Sequence, residues 1–230
     1  MPGDRLLRIL THLNASSEGQ PEAARLCEVC ADVLDMTGAG VMLMSGDLPS
    51  GSVCSSNDVS GLIEDLQYTL GEGPCIDAYN HQRAVFEPDL ADPEVPRWIS
   101  FSPPAVAAGA RAIFGFPLQI GSVHLGALNL YRDQPGPLTD DQHADALVVA
   151  EVAARAVLDM QAHAPPGAIP AELSDSDFRF VVHQAAGMIS VQLTVSIAEA
   201  LIRLRAYAFA GGRPLNEVAG DVVARRLRLG

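Results

Sequence analysis

The chain contains 230 residues, of which 48% are apolar and 19% are charged, and no apolar run is long enough to cross a bilayer. This composition excludes collagen, coiled-coil rods and disordered chains, and it predicts a globular protein of one or two domains. The charge is uneven, because residues 1–172 hold 8 Arg against 23 acidic residues, whereas residues 173–230 hold 7 Arg against 5. The net charge of −13 argues against nucleic acid as a partner of the whole chain. The last quarter of the chain is not acidic, so nucleic-acid binding by that part is not excluded.

Helical and extended patterns alternate along the first 163 residues. Apolar residues at helical spacing predict a helix from Pro21 to Thr37. Further elements follow in chain order: a strand pair over 39–46 and 50–56, a helix ending at Gly71-Glu72-Gly73, a short helix that begins at Pro74, and a short strand over 84–90.

The clearest strand signal covers residues 111–132. Apolar residues alternate along its first half at Ala112, Phe114, Phe116, Leu118 and Ile120. Gly121-Ser122 then forms a two-residue loop suited to a type II′ turn, so we expect two adjacent antiparallel strands.

Thr139 and Gln142 have the spacing of a capping box and predict a helix of about six turns that ends near Ala162. One apolar seam steps 4-3-4-3 through Ala146, Ala150, Ala153, Val157 and Met160, and a second contains Leu147, Ala154 and Leu158. One seam can cover the sheet while the other meets a partner helix, so we predict a homodimer whose interface includes the first seam. The alternative is one wide face buried within the monomer.

Residues 164–173 break all periodicity and predict a Pro-rich linker between a domain over 1–163 and a second over 174–230. Three helices are expected after it. The first runs from Ser174 or Asp175 to about Leu193. The second follows the capping box of Ser196 and Glu199 and ends at Gly211-Gly212. The third begins at Pro214 and runs to the terminus.

Four cysteines lie in the first third of the chain, and no apolar signal segment follows Met1. We expect a cytoplasmic protein with reduced thiols. Cys27-x-x-Cys30 has a redox or zinc spacing, but it lies inside a predicted helix without a second Cys/His pair, so no metal site is predicted. Cys75 stands at a predicted helix start, where the helix dipole lowers a thiol pKa.

The segment LGEGPCIDAYNHQRAVFEPDL, the hairpin and the long closing helix together resemble the GAF sensor domain of actinobacterial two-domain regulators. This resemblance implies an antiparallel α+β fold with flanking helices and an unknown small-molecule signal. Cys75 resembles a cysteine of GAF-fold free methionine sulfoxide reductases, but the expected upstream cysteine is Asp65 here. We therefore treat Cys75 as a ligand-pocket or buried wall residue, with redox sensing as the alternative.

The final segment resembles the ANTAR domain, an all-α three-helix module that binds RNA in transcription antitermination. The matching positions are Gln184, Ala185 and Gly187, then Glu199-Ala200, Leu204-Arg205, Arg213-Pro-Leu215 and Val218-Ala219. The resemblance implies binding of hairpin loops in a structured mRNA leader.

A 100° helical projection centres the buried face of the first of these three helices on Ala185, with Val182 and Ile189, and it turns His183, Gly187 and Ser190 outward. A small outward residue lets an unstacked base approach closely. Helix packing is the alternative reading of Gly187, since Gly costs about 1 kcal/mol inside a helix.

Arginines supply the remaining candidate RNA contacts. Arg203 points outward in the second helix, and Arg205 either contacts RNA or covers the core with its aliphatic stem. Arg213 precedes the third helix, where it could hold a phosphate, with a solvated turn arginine as the alternative.

The sequence contains no P-loop, GxSxG, HExxH or paired-carboxylate pattern, so no catalytic residue is predicted. We expect a signal-responsive RNA-binding antitermination regulator that is not an enzyme and has no membrane partner. The alternative is a dimeric small-molecule or redox sensor whose C-terminal helices only mediate protein contacts.

Overall fold

The computed structural model describes Thr11 and residues 22–46, 48–95, 97–163 and 176–230. The chain divides into two compact units, Met1–Leu173 and Ser174–Gly230. The predicted linker at 164–173 and the predicted helix start at Ser174 or Asp175 lie outside the described residues.

The first unit is an α+β fold built on an antiparallel sheet of five strands in the order β2-β1-β5-β4-β3. Its elements in chain order are α1 (Glu22–Leu34), β1 (Gly38–Ser45), β2 (Leu48–Ser55), α2 (Asp58–Leu70), α3 (Pro74–His81), β3 (Val85–Glu87), α4 (Ser102–Ala107), β4 (Ala112–Ile120), β5 (Val123–Arg132) and α5 (Asp140–His163). The predicted fold class of this unit is confirmed.

The β4–β5 hairpin agrees with the sequence prediction. Ile120 pairs with Val123 across the Gly121-Ser122 loop, and Gly121 has a φ of 59°, as a type II′ turn requires at its first position. Helix α4 was not predicted, because Pro103 and Pro104 resemble a loop, although proline in a first turn is compatible with a helix.

One face of the sheet packs against α1 and α5. The alternating residues of β4 from Ala112 to Leu118 are buried on this face, together with Leu128 and Leu130 of β5. Thr139 caps α5 as predicted, since its Oγ1 accepts from the Gln142 N–H at 3.2 Å. The apolar core of the unit therefore lies between the sheet and these two helices.

The predicted partner seam of α5 belongs to this same core. Ala146, Ala150, Ala153 and Val157 are buried against the sheet and α1, and Met160 packs at the margin. These residues cannot also face a second copy of the chain, so the proposed interface through this seam needs correction. Leu147, from the second seam, is the residue that stays 52% exposed.

A disulfide joins Cys27 of α1 to Cys54 of β2. This corrects the expectation that all thiols are reduced, and it removes Cys27 as a metal ligand. Cys30 is a free thiol in the same core, where burial raises its pKa to about 12.

The described residues of the second unit form three helices: α6 (Ser176–Leu193), α7 (Ile197–Ala210) and α8 (Leu215–Val223). Their shared core includes Val182, Ala185, Ile189, Leu201, Leu204, Val218 and Val222. Ser196 caps α7 as predicted, because its Oγ accepts from the Glu199 N–H at 3.1 Å.

The predicted extent of the third helix is wrong. Helix α8 ends at Val223, and Arg225 takes a left-handed conformation with a φ of 59°. The tail then turns back, since Leu229 is buried and its carbonyl accepts from Gln192 Nε2 at 3.2 Å. The terminal arginines therefore lie on a folded tail and not along a helix.

Within the described residues, no single helix has both the length and the apolarity of a membrane span. The segments Val181–Leu193 and Ile197–Ala210 have the length and apolarity of a span only when they are taken together, and this pair is bent by 108°.

Candidate functional site

A row of three residues crosses the second face of the sheet. Asn129 of β5 pairs with Gly40 of β1 on one side and with Gly115 of β4 on the other. Leu128 and Leu130 face the α1–α5 core, so the pleat turns Asn129 toward the opposite face. A single amide side chain thus stands between two positions without side chains.

Helices α2 and α3 close over this row. A Cβ on Gly40 would lie 2.6 Å from Glu64 Oε1, and a Cβ on Gly115 would collide with the Pro74 carbonyl oxygen. The two glycines are therefore what allow the helices to approach the sheet so closely. We call the closely packed region formed by Gly40, Asn129, Gly115, Glu64 and Gln67 the polar slot.

The polar slot is short of hydrogen-bond partners. Asn129 is 1% exposed, and within the described residues neither its Oδ1 nor its Nδ2 has a partner. Gln67 Oε1 accepts from the Cys75 N–H at 2.7 Å, whereas Gln67 Nε2 is buried without a partner. Unsatisfied buried amide groups cost about 1–3 kcal/mol each, so a group that donates and accepts hydrogen bonds would be stabilised here.

Cys75, the predicted ligand-pocket residue, begins α3 beside the polar slot and is buried. Burial and the charge of Glu64 raise its pKa well above the ordinary value, against the opposing effect of the Gln67 hydrogen bond. The expected lowering by the helix dipole is therefore wrong. A protonated thiol is a poor nucleophile, so this position suits a wall residue.

The predicted RNA-facing residues of α6 divide into exposed and buried groups. His183 and Gln184 are exposed, and a Cβ built on Gly187 would meet no atom within 4 Å. Gly187 is therefore not a helix-packing residue. Ala185 is fully buried, which excludes it from direct RNA contact, and Ala186 is equally buried.

Ser190 has a structural role at the end of α6. Its Oγ donates to the Val195 carbonyl oxygen at 2.6 Å. This bond ties the helix to the connection that leads into α7, so the hydroxyl is already engaged.

The predicted arginines are largely occupied by acidic neighbours. Arg203 pairs with Glu199 at 2.8 Å, and Arg213 pairs with Asp221 at 2.7 Å. The Asp221 hydrogen bond raises the pKa of Arg213, while Arg213 and Arg226 hold the pKa of Asp221 below its usual value. Arg205 is partly buried in α7, as expected for a stem that covers the core.

An open groove of about 700 Å³ runs between α6 and the folded tail. Its lining residues are Gln184, Gly187, Met188, Val191, Gln192, Val222, Arg225, Leu227 and Arg228. The structure therefore groups Gly187 with two arginines of the tail, and Arg213 is not among the lining residues. We call this surface the Gly187 groove.

A comparison with family models decides the identity of the first unit. Residues 23–157, more than half of the chain, match the model of the GAF domain. The chain belongs to the GAF domain family. Membership of this family supports a signal-sensing role for the first unit.

Three solved structures share the fold of this unit. The GAF domain of an Acinetobacter phosphoenolpyruvate-protein phosphotransferase has 15% identity and a TM-score of 0.51, over 70% of this chain and 96% of its own. The GAF domain of the Coxiella burnetii phosphoenolpyruvate-protein phosphotransferase has 12% identity and a TM-score of 0.50, and the match covers 69% of this chain and 95% of its own. A far-red-absorbing protein with bound biliverdin has 10% identity and a TM-score of 0.50, and the match covers 68% of this chain and 99% of that protein's chain.

These identities support the GAF fold and nothing finer. A comparison with curated protein sequences finds no match. The polar slot of the GAF domain is thus assigned from its own geometry, as is the Gly187 groove of the second unit.

Proposed function

We propose that the chain is a signal-responsive RNA-binding regulator of transcription antitermination. The GAF domain detects a small molecule in the polar slot, and the three-helix unit binds hairpin loops in mRNA leaders. The chain works in the cytoplasm as a homodimer and has no catalytic activity.

The observation that carries the sensing role is the buried, unpartnered amide of Asn129. A folded protein tolerates such a group at a cost in stability, and a ligand with donor and acceptor atoms removes that cost on binding. The buried thiol of Cys75 supports sensing over catalysis, since its raised pKa keeps it protonated at neutral pH.

Support for the RNA-binding role comes from the exposed face of α6. Gln184 and Gly187 match the resemblance to ANTAR domains, and open space above Gly187 leaves room for an unstacked base. RNA loops present such bases, which proteins bind by stacking and by hydrogen bonds to base edges.

A selection experiment with the full chain tests the RNA-binding role. A pool of RNA hairpins with randomised loops is passed over the immobilised protein, and the enriched RNA is measured by mobility shift at two salt concentrations. We expect enrichment of defined loops and weaker binding at the higher salt concentration. No enrichment, or binding that ignores salt, would contradict the proposal.

A second candidate function has an observation in its favour. Helix α7 exposes Ile202 and Phe209, which lie seven residues apart and therefore on one face, and Phe209 is 68% exposed. Exposed apolar faces often bind protein, so the three-helix unit could serve protein contacts alone. Sedimentation of the full chain and of Phe209→Glu, combined with the RNA selection, separates the candidates: self-association through α7 without RNA enrichment favours this one.

A further inference from the structure

Two arginines of the three-helix unit line one groove and are not paired with a described acidic residue. Among the residues of this unit whose side chains the structure describes, the acidic ones are Glu199, Glu217 and Asp221, and they pair with Arg203, Arg213 and Arg226. Arg225 and Arg228 have no ion-pair partner among the described residues. Both of these arginines line the Gly187 groove.

The groove combines this charge with a floor that suits a flat ring. Gly187 contributes no side chain, and a Cβ there would have no neighbour within 4 Å. Met188 and Val191 add apolar surface, since Val191 is 83% exposed. Gln184 and Gln192 contribute amide groups. Gln192 Nε2 donates to the Leu229 carbonyl oxygen of the tail, and its Oε1 has no hydrogen-bond partner among the described residues.

We propose that the Gly187 groove holds one unstacked base of an RNA loop, with Arg225 and Arg228 bound to the phosphates that flank it. This inference rests on the proposed RNA-binding function and names the surface that performs it. The base lies against Gly187 and Met188, and the glutamine amides meet its edge. The two guanidiniums supply charge-assisted hydrogen bonds to phosphate.

RNA fits this surface better than an acidic protein segment does. An acidic helix needs an apolar trough for its anchor residues, whereas this groove is open and carries amides as well as apolar groups. Two arginines on one rim beside a glycine floor match a chain that alternates phosphates with flat rings. Base stacking and phosphate contact explain both features at once.

The left-handed Arg225 gives the arrangement its geometry. Helix α8 ends at Val223, and the turn at Arg225 leads the chain back toward α6, where Leu229 is anchored. A helix continued to the terminus would have carried the tail away from Gln192. The same turn therefore closes the small core and places both cations on the groove.

The test uses the full chain and an RNA enriched from the randomised hairpin pool, with Arg225→Gln, Arg228→Gln and Gly187→Leu as variants. Each arginine change should weaken binding roughly tenfold and lower the salt slope by about one. Gly187→Leu should weaken binding roughly tenfold or more, because its side chain fills the floor. Arg226→Gln is the matched control, since it removes the same charge from an arginine that pairs with Asp221, and it should stay within about twofold.

Circular dichroism of each variant shows whether the helices remain folded, and the Gly187→Leu and Arg228→Gln variants keep the test decisive if Arg225→Gln unfolds. If the unmodified chain binds no RNA, the proposed function and this inference both fail. If it binds but the groove variants behave like Arg226→Gln, the groove assignment alone is wrong. Poly-L-glutamate bound as tightly as RNA, and lost in the same variants, would replace RNA with an acidic protein partner.

Discussion

Asn129 combines complete burial with an amide that no described group satisfies, which is unusual for a residue in the centre of a sheet. Its neighbours Gly40 and Gly115 have no side chains, and Glu64 and the Pro74 carbonyl oxygen of the covering helices approach them closely. The residue therefore costs stability in exchange for hydrogen-bonding capacity, as binding sites often do.

We predict that Asn129→Leu raises the stability of the ligand-free chain by about 1–2 kcal/mol, because leucine has a similar shape and needs no hydrogen bond. Urea unfolding measures the change. Asn57→Leu is the control, since the Asn57 side chain accepts from the Ser60 N–H at 2.9 Å and donates to the Thr37 carbonyl oxygen, and its loss should destabilise. A destabilised Asn129→Leu would mean that its amide is satisfied in solution.

Sequence patterns identified the apolar elements better than the polar slot. The alternation in β4 and the Gly121-Ser122 loop located the hairpin correctly, because burial of one face dictates period two. Asn129 gave no signal, since one polar residue in an apolar strand can face either side until the pairing register is known. Its importance depends on Gly40, which lies 89 positions earlier and meets it only through the β1–β5 ladder.

At the scale of elements, α5 shows why two apolar seams do not imply two partners. The long helix lies across a wide sheet and against α1, so the core covers an arc that takes in the first seam and Ala154. The heptad-like spacing was real, but its partner is the chain itself. The spacing of residues cannot distinguish these cases without the width of the surface opposite.

We predict that Ala153→Glu destabilises the GAF domain by more than about 3 kcal/mol, because it forces a carboxylate into the apolar core. It should not produce a folded monomer from a dimer. Leu147→Glu is the matched control on the exposed side of α5 and should change stability by less than about 0.5 kcal/mol. Thermal unfolding, followed by circular dichroism, compares the stabilities of the two variants. Equal stabilities would mean that Ala153 lies on the surface and not in the core.

The sequence prediction of a helix through the tail after α8 is wrong for a related reason. Its arginine-rich sequence is compatible with a helix, and nothing local marks Arg225 as a left-handed residue. The helix ends because of tertiary packing: Leu229 is buried in the small core, and Gln192 Nε2 donates to its carbonyl oxygen. The arginines singled out from sequence, Arg203 and Arg213, were chosen without knowledge of their acidic neighbours, which lie four and eight residues away.

At the scale of the whole molecule, the Cys27–Cys54 disulfide ties α1 to β2 across 27 residues. We predict that its reduction lowers the stability of the chain by about 3–4 kcal/mol, since the unfolded state regains the entropy of that loop. Urea unfolding with and without dithiothreitol measures the loss. The double variant Cys27→Ser with Cys54→Ser should show the same stability in both conditions, and a reductant effect that persists there would point to Cys30 or Cys75.

In the proposed sensing role, the closed state of the polar slot also sets the timing of the response. Because Asn129, Glu64 and Gln67 are all buried, a ligand can enter only while α2 and α3 are displaced from the sheet. The rates of ligand entry and escape are then limited by how often this opening occurs and not by diffusion. In stopped-flow experiments, the observed binding rate should therefore approach a plateau as ligand concentration rises. Such a receptor averages its signal over the lifetime of the bound state, so that it responds to sustained concentrations and filters out brief ones.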